Sequence, residues 1–204
     1  MNKERWNSIY KSNREFTPLN NIFLDLILRH FFSSGEVSSK KMIDIGGGGT
    51  GADALKFLKR GFYVEIVDWS SVGLETAKKE IAEAGFNEKV VYTEMDIDEL
   101  DISKLSNIPA DIILCKLTYA FIKDKEKFLK KIKGILAENN IFILMTPVLH
   151  KNYAYSEEDK PGIAVDFEET KSLCERIFSN VEVFHHNYFQ ENGDLTTFIL
   201  RTPS

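Results

Sequence analysis

The sequence predicts an α/β chain built on a mostly parallel sheet that closes with an antiparallel hairpin. Three observations carry that expectation. Between residues 40 and 146, short apolar runs alternate with stretches of helical periodicity, the pattern of repeated β-α units. The apolar runs are nearly unbroken, as suits strands buried on both faces. Beyond residue 180 two strand-like segments are joined by "QENGD", whose Asn-Gly pair is a hairpin signal.

The elements follow in order. Residues 3–12 and 19–33 predict two helices separated by "TPLN"; in the second, Ile22, Phe23, Leu26, Ile27 and either His30 or Phe31 recur at helical spacing. A polar link, "SSGEVSSKK", leads to a first strand from Met42 to Ile45. Helix 52–60 precedes strand 62–67 ("FYVEIV"), and helix 71–84 precedes strand 89–94 ("KVVYTE"). A helical turn around 98–105 leads to strand 111–115 ("DIILC"), and helix 124–136 leads to strand 140–146 ("NIFILMT"). The basic run 123–133 is a solvated helix face, with Phe128, Leu129, Ile132 and Leu136 turned inward. Residues 148–166 show no period and contain a Pro-Gly turn signal, so a long loop is expected. Helix 167–178 follows, capped by Asp166, and the segments "VEVFHHNYF" and "LTTFILRT" form the closing strand pair.

Composition narrows the function classes. A chain of 204 residues with fifteen phenylalanines can bury a substantial core as one domain. Its net charge of −5 gives no global positive field for nucleic acid. Cys115 and Cys174 have no metal-ligand spacing, and with four scattered histidines they predict a reduced, cytoplasmic protein without a metal site. The charged N-terminus lacks a signal-peptide core, and "IFLDLILRHFF" is broken by Asp25, Arg29 and His30, so neither secretion nor membrane insertion is expected.

The chemistry concentrates at the strand ends. In "IDIGGGGTGADAL", residues 43–55, Gly46, Gly48 and Gly51 fit G-x-G-x-x-G, and Asp68 follows at the distance of a ribose-binding acid. Glycines between a strand and a helix let a ligand approach the backbone, whereas a purely structural turn needs one or two, not five. The spelling alone accommodates a dinucleotide pyrophosphate or another ligand. Asp44 separates these, because a carboxylate beside the loop repels pyrophosphate and suits a cationic group. Asp68 ends the second strand in "IVDWS", with Trp69 beside it as a candidate partner for an adenine ring. Asp96 follows the third strand, and His150 lies just after the fifth.

Five β-α units, a closing strand pair and three acids in this placement resemble the Rossmann-like, doubly wound, seven-stranded fold of class I S-adenosylmethionine-dependent methyltransferases. The resemblance covers roughly residues 40–201. It implies that Asp44 holds the methionine part of the cofactor beside Gly46, Gly47 and Gly48. It also implies that Asp68 binds the ribose, that Asp96 accepts from the adenine amino group, and that the Ile97 backbone amide bonds the ring. "CKLTYAF" would line the cofactor and begin the substrate pocket, through Lys116, Leu117 and Tyr119. The N-terminal "RWNSIYKSN" resembles the W-x-x-x-Y segment of small-molecule methyltransferases of the thiopurine and tellurite-resistance type, which implies that Trp6, Tyr10 and Arg14 fold over the cofactor.

The chain departs from the family at the loop, where Asp44 to Gly51 spans one residue more than D-x-G-x-G-x-G. A widened loop is expected, with Gly46 keeping its place and either Gly48 or Gly49 in the middle position. The expected organisation is a single domain, 1–204: a helical cap over 1–39, a cofactor-binding core over 40–146, and a substrate loop, helix and hairpin over 147–204. The expected reaction moves a methyl group from S-adenosylmethionine to an O, N or S atom of a small molecule, leaving S-adenosylhomocysteine, with Tyr119 or His150 as candidate catalytic groups. Tyr153, Tyr155 and Phe167 favour a small organic acceptor; a peptide or protein remains open. The Asn/Asp-Pro-Pro-Tyr/Phe motif of many nucleic-acid methyltransferases is absent. Two readings compete: an NAD(P)-dependent oxidoreductase, to which Tyr119 and Lys123 lend a Y-x-x-x-K match, and a non-catalytic cofactor-binding relative acting as a partner protein.

Overall fold

The computed structural model describes residues 3–12, 18–32, 39–150, 163–186 and 194–202. Eight strands form one sheet: β1 (Lys41–Ile45), β2 (Tyr63–Asp68), β3 (Val90–Glu94), β4 (Ala110–Lys116), β5 (Leu136–Leu149), β6 (Val165–Asp166), β7 (Asn180–His186) and β8 (Asp194–Arg201). Its order is β3-β2-β1-β4-β5-β8-β7, with the two-residue β6 beside β5. Strands β1 to β5 run parallel, and β8 runs antiparallel to both β5 and β7. This is the mostly parallel sheet with a closing antiparallel pair that was expected, with six α-helices among the described residues: α1 (Lys3–Lys11), α2 (Asn21–Phe31), α3 (Ala52–Leu58), α4 (Ser71–Glu83), α5 (Lys125–Ile135) and α6 (Phe167–Ile177).

Strand periodicity divides the core into two layers. Met42, Val64, Ile66, Ile112, Leu114, Ile141 and Ile143 face α2, α3 and α4. Their odd-even partners Ile43, Ile45, Val67, Ile113, Cys115, Phe142 and Leu144 face α5 and α6. Helix starts are fixed by short polar side chains. Asn20 accepts from the Ile22 and Phe23 amides, Ser70 from Gly73, Asp124 from Lys127 and Asp166 from Glu169. Each such cap contributes about 1 kcal/mol.

Three expectations change. Strand β5 is far longer than 140–146, passing through Asn139 at φ +61° and a register break opposite Ala110–Ile112. Both ends of the expected 148–166 loop are strand, since Val148 pairs with Val165 and Leu149 with Asp166; Tyr153, Tyr155 and the Pro161-Gly162 turn lie outside the described residues. The helical turn at 98–105 shrinks to one 3-10 turn, Ile102–Lys104. The hairpin's link, 190–193, also lies outside the described residues.

Because β1, β2 and β3 step outward in one direction and β4 returns to the other side of β1, the strand ends around β1 and β4 form the switch point where open α/β sheets bind ligands. A buried carboxylate braces this region from below. Glu65, wholly inaccessible, accepts from the Ser106 and Asn107 amides at 2.8 Å and from the Thr93 hydroxyl at 2.6 Å. Asn107 in turn donates to the Met42 and Tyr63 carbonyls, tying the β4 entry to β1 and β2. Replacing Glu65 with Ala leaves two amides and a hydroxyl unpaired, and is expected to cost about 2–4 kcal/mol. A urea titration checks it: the midpoint should fall at unchanged slope.

Candidate active site

Three side chains reach the switch point from one face of the sheet. Asp44, Asp68 and Lys116 all share the strand parity of Met42, Ile66 and Leu114, so they project toward α3 and α4 at the carboxyl ends of β1, β2 and β4. Asp44 and Asp68 are 3% and 5% exposed.

Their surroundings set them apart. Asp68 is engaged by the chain itself on both oxygens: one accepts from the Ser70 amide at 2.7 Å, and the other from the Gly48 amide at 2.9 Å and the Tyr10 hydroxyl at 3.2 Å. Burial raises its pKa, and those hydrogen bonds oppose the rise. No hydrogen bond reaches the Asp44 carboxyl among the described residues. Burial first, then the like charges of Asp53 and Asp68, push its pKa up to about 8 against the pull of Lys116. Lys116 is held by Asp53 of α3 at 2.8 Å. The next residue, Leu117, takes a left-handed conformation (φ +59°), with its amide on the Met145 carbonyl.

The glycine run fits between these groups with no room for side chains. Gly46 sits at φ +76° with its amide on the Val67 carbonyl; a β-carbon there would lie 2.0 Å from the Thr118 hydroxyl. At Gly47 it would meet the Asp44 carboxyl at 2.5 Å, and at Gly48 the Asp68 carboxyl at 2.6 Å. Gly49, at φ +92°, donates to the Gly73 carbonyl, and Gly48, Gly49 and Gly73 together form a socket for the Tyr10 ring. A β-carbon on Gly73 would lie 2.7 Å from that ring.

Helix α1 therefore lies over the cleft. Asn7 accepts from the Ser70 hydroxyl, and the Trp6 ring packs edge-on against Phe121 at 5.2 Å. Beneath α1 are two small chambers of about 70 Å³ each. Trp6, Tyr10, Gly46 and Thr118 line both. The first is walled further by Asp68, Trp69, Asp96, Ile97, Phe121 and Ile122. The second is walled by Asp44, Gly47, Gly48, Asp53, Lys116 and Leu117. Ile97 is 9% exposed, and the Asp96 side chain accepts from the Asp98 amide. Every expected cofactor contact thus lines one chamber or the other; Arg14 lies outside the described residues.

Both expected catalytic groups stand elsewhere. Tyr119 is wholly buried in the α5–α6 layer against Phe128, its hydroxyl without a hydrogen bond among the described residues and its pKa raised by burial and then by Cys174 and Cys115. The left-handed turn at Leu117 swings the chain to the opposite face and carries Tyr119 out of the cleft. Lys123 pairs with Asp98 at the surface, so the Y-x-x-x-K match forms no dyad. His150 packs against Phe167 (4.7 Å) and His185 (5.7 Å) and lines neither chamber. Sequence reasoning missed Thr118, Phe121 and Asp53. Thr118 and Phe121 sit inside the very stretch "CKLTYAF", but Asp53, an acid in a helix's first turn, drew no reading. Among the described residues, no His, Cys, Asp and Glu group is arranged to hold a metal ion, and no helix is long and apolar enough to cross a membrane.

A family model described as a methyltransferase domain matches residues 36–196. No curated protein sequence matches the chain significantly. Solved structures share the fold at low identity. One is a phosphoethanolamine N-methyltransferase of Haemonchus contortus, complexed with phosphomonomethylethanolamine and S-adenosylhomocysteine: 16% identity, TM-score 0.73, covering 98% of this chain and 58% of that one. This chain thus spans little more than half that enzyme's length. A Methanococcus maripaludis protein assigned as an S-adenosylmethionine-dependent methyltransferase aligns over 99% of this chain and 92% of its own, at 19% identity and TM-score 0.65. An arsenic(III) methyltransferase of Chlamydomonas reinhardtii aligns over 82% and 65%, at 15% identity and TM-score 0.62.

The Tyr10 socket makes a direct prediction. Gly73→Ala should favour α4 intrinsically, by about 1 kcal/mol for an exposed interior site, yet it should expel the Tyr10 ring and loosen α1. Hydrogen exchange read by mass spectrometry should show faster exchange over residues 3–11 with no loss over 74–83.

Proposed function

The chain belongs to the class I S-adenosylmethionine-dependent methyltransferases, within the methyltransferase-domain family, and we propose that it methylates a nucleophilic O, N or S atom of a small molecule. The observation that carries the site assignment is Asp44: a buried carboxyl, unpaired among the described residues, aimed into a glycine-walled chamber. Once ionised, that carboxylate would repel a phosphate at close range, whereas a sulfonium or ammonium would supply its missing partner. The loop also offers room against bare backbone, which a close-lying ligand requires.

In this reading the second chamber takes the amino-acid end of the cofactor, against Asp44, Gly46 and Gly47. The first takes the nucleoside, with Asp68 for the ribose and Trp69, Asp96 and Ile97 around the adenine. A carboxylate offers about four acceptor positions, and Asp68 already uses three. The Tyr10 hydroxyl is the contact that yields to a ribose diol, because it is the longest of the three. Bound S-adenosylmethionine supplies a methyl group already activated for in-line displacement. The chain's part is to align the acceptor, exclude water and place charge. Of the side chains that border both chambers, Trp6, Tyr10 and Thr118, we take Thr118 and Trp6 in place of Tyr119 and His150 as candidates for acceptor contact. Residues 1–39 act as the cap, 40–146 as the cofactor core and 147–204 as the substrate side of one domain.

A small acceptor is favoured by the covered cleft, closed by α1 and the Trp6–Phe121 contact. The Haemonchus and Chlamydomonas relatives are small-molecule enzymes by name, which supports the same reading. An oxidoreductase is disfavoured by Asp44 and by the absence of a Tyr119–Lys123 dyad.

Thermal shift against S-adenosylmethionine, S-adenosylhomocysteine and NAD(H) tests the assignment. At a hundred times the dissociation constant, the first two should stabilise by about 2.7 kcal/mol, a rise of roughly 5–10 °C for this size. A response to NAD(H) alone would overturn it.

Protonation gives a second test. The folded pKa of Asp44, about 8, lies above the ordinary carboxylate value. The folded chain therefore keeps a proton the unfolded chain sheds, and this group's contribution to stability is lost as pH rises toward 8. A cationic ligand needs the carboxylate, so its binding releases that proton. S-adenosylmethionine affinity should rise between pH 6 and 7.5, by up to about tenfold per unit, and calorimetry in buffers of different ionisation enthalpy should register proton release. In Asp44→Asn both effects should vanish.

A further inference from the structure

The two outer strands of the sheet are finished differently. At one side β3 is five residues long, and its last residue, Glu94, is held by Lys3 of α1. At the other, β7 is seven residues long and pairs with β8 alone among the described residues, in an unbroken register from Asn180 opposite Arg201 to His186 opposite Leu195. Edge strands are normally blunted by brevity, proline, lysine or a bulge. The stretch "NVEVFHH" has none of these. Its outward amides and carbonyls are a template for another strand.

The flank of this edge is apolar. The even-numbered residues of β7 face α2: Phe184 and His186 pack on Phe23 at 5.7 and 4.9 Å, and Glu182 lies 4.0 Å from His30. Phe23 and His30 therefore run along the strand, and Leu26 falls between them on the helix, with Ile22 one turn before it. Ile22 and Leu26 are the two most exposed large apolar side chains described, at 72% and 61%, and Phe184 is 39% exposed. An apolar surface that runs from a helix onto a free strand edge marks a contact with another chain.

Complementarity selects the occupant. Strand β7 can meet an antiparallel copy of itself across a two-fold axis, and the register decides what faces what. Centred on Glu182, the pairing sets two carboxylates opposite each other. Centred on Val183, it sets Glu182 against an apolar Phe184. Centred on Phe184, it joins the two phenylalanines and places Glu182 of each copy opposite His186 of the other. That register supplies what both groups lack. Glu182 has His30 at 4.0 Å, beyond a hydrogen bond. The Thr197 hydroxyl lies 2.9 Å from Nε2 of His186, and Nδ1 of that ring has no partner among the described residues.

We propose that β7 pairs antiparallel with β7 of a second copy of this chain, centred on Phe184, so that one sheet runs through a two-fold dimer and Leu26 and Ile22 are covered at its flank. Strand β7 points the same way as β5, since β8 opposes both, so the two clefts open at opposite ends of the dimer. Neither is obstructed, because β7 lies three strands from β4. The pairing is independent of which ligand the cleft takes.

Sedimentation velocity of the full chain over a range of micromolar concentrations tests the assembly, and a dimer is expected. Leu26→Lys and Phe184→Lys should each raise its dissociation constant roughly a hundredfold at an unchanged far-ultraviolet circular dichroism spectrum, because a two-fold interface carries every change twice. Cross-linking tests the register. Phe184→Cys should oxidise to a covalent dimer, since directly opposed residues of an antiparallel pair lie about 4.5–5.5 Å apart at Cα, within disulfide reach. Val183→Cys, displaced by two residues from its counterpart, should not. The native Cys115 and Cys174 are buried and give no background. A chain that stays monomeric would overturn the proposal and leave the edge to a strand of a different protein. A dimer that both lysine variants leave intact, or cross-linking at 183 in place of 184, would overturn it equally.

Discussion

The structure depends on a matter of parity. In β1, β2 and β4 the even-numbered residues face α3 and α4, and the parallel register sets Asp44 beside Ile66 and Leu114. The three strands end within two residues of one another in that register, so their last polar residues, Asp44, Asp68 and Lys116, emerge on the same face. Ile45, Val67 and Cys115, one position away on each strand, belong to the opposite layer. A slip of one residue in any strand would exchange a charge for an apolar side chain and bury the charge in the wrong layer. The apolar layers thus fix the site, because the same alternation that packs them aims the charges.

This is also why so much was legible beforehand. The β-α alternation, the closing strand pair, the cap at Asp166 and the strand-end acids all follow from periods of two and 3.6 residues and from a short polar side chain at a helix start. What escaped belongs to contacts no local period encodes. Tyr119 looked like a cleft residue until the left-handed turn at Leu117 carried it to the other face, and nothing in "KLTY" announces that turn. Asp53 drew no reading from the sequence because its partner lies 63 residues on. The length of β5 depends on its β8 partner, which supplies a continuous antiparallel ladder from Ile141 to Val148.

The glycine run shows the same division. From the sequence its glycines pointed to an external ligand, and for Gly46 and Gly47 that remains the natural reading. Yet each missing β-carbon is also demanded by a side chain of the chain itself: Thr118 at Gly46, Asp44 at Gly47, Asp68 at Gly48 and Tyr10 at Gly49. Gly48 and Gly49 lie where α1 docks, against the Tyr10 ring. The loop is therefore shaped from two sides, by whatever enters the cleft and by the helix that covers it. That second demand is invisible to a motif that counts only ligand contacts.

The covering helix has an optical consequence. The chain contains two tryptophans, and Trp6 and Trp69 line the same chamber from opposite sides, one on α1 and one after β2. All indole emission therefore arises at the cleft, with no background from the distant core. Displacement of Trp6 from Phe121, or stacking of a purine on Trp69, would alter the whole signal rather than a fraction of it. The protein thus carries an intrinsic fluorophore pair at the place where occupancy and closure meet, and unlabelled material suffices to time both.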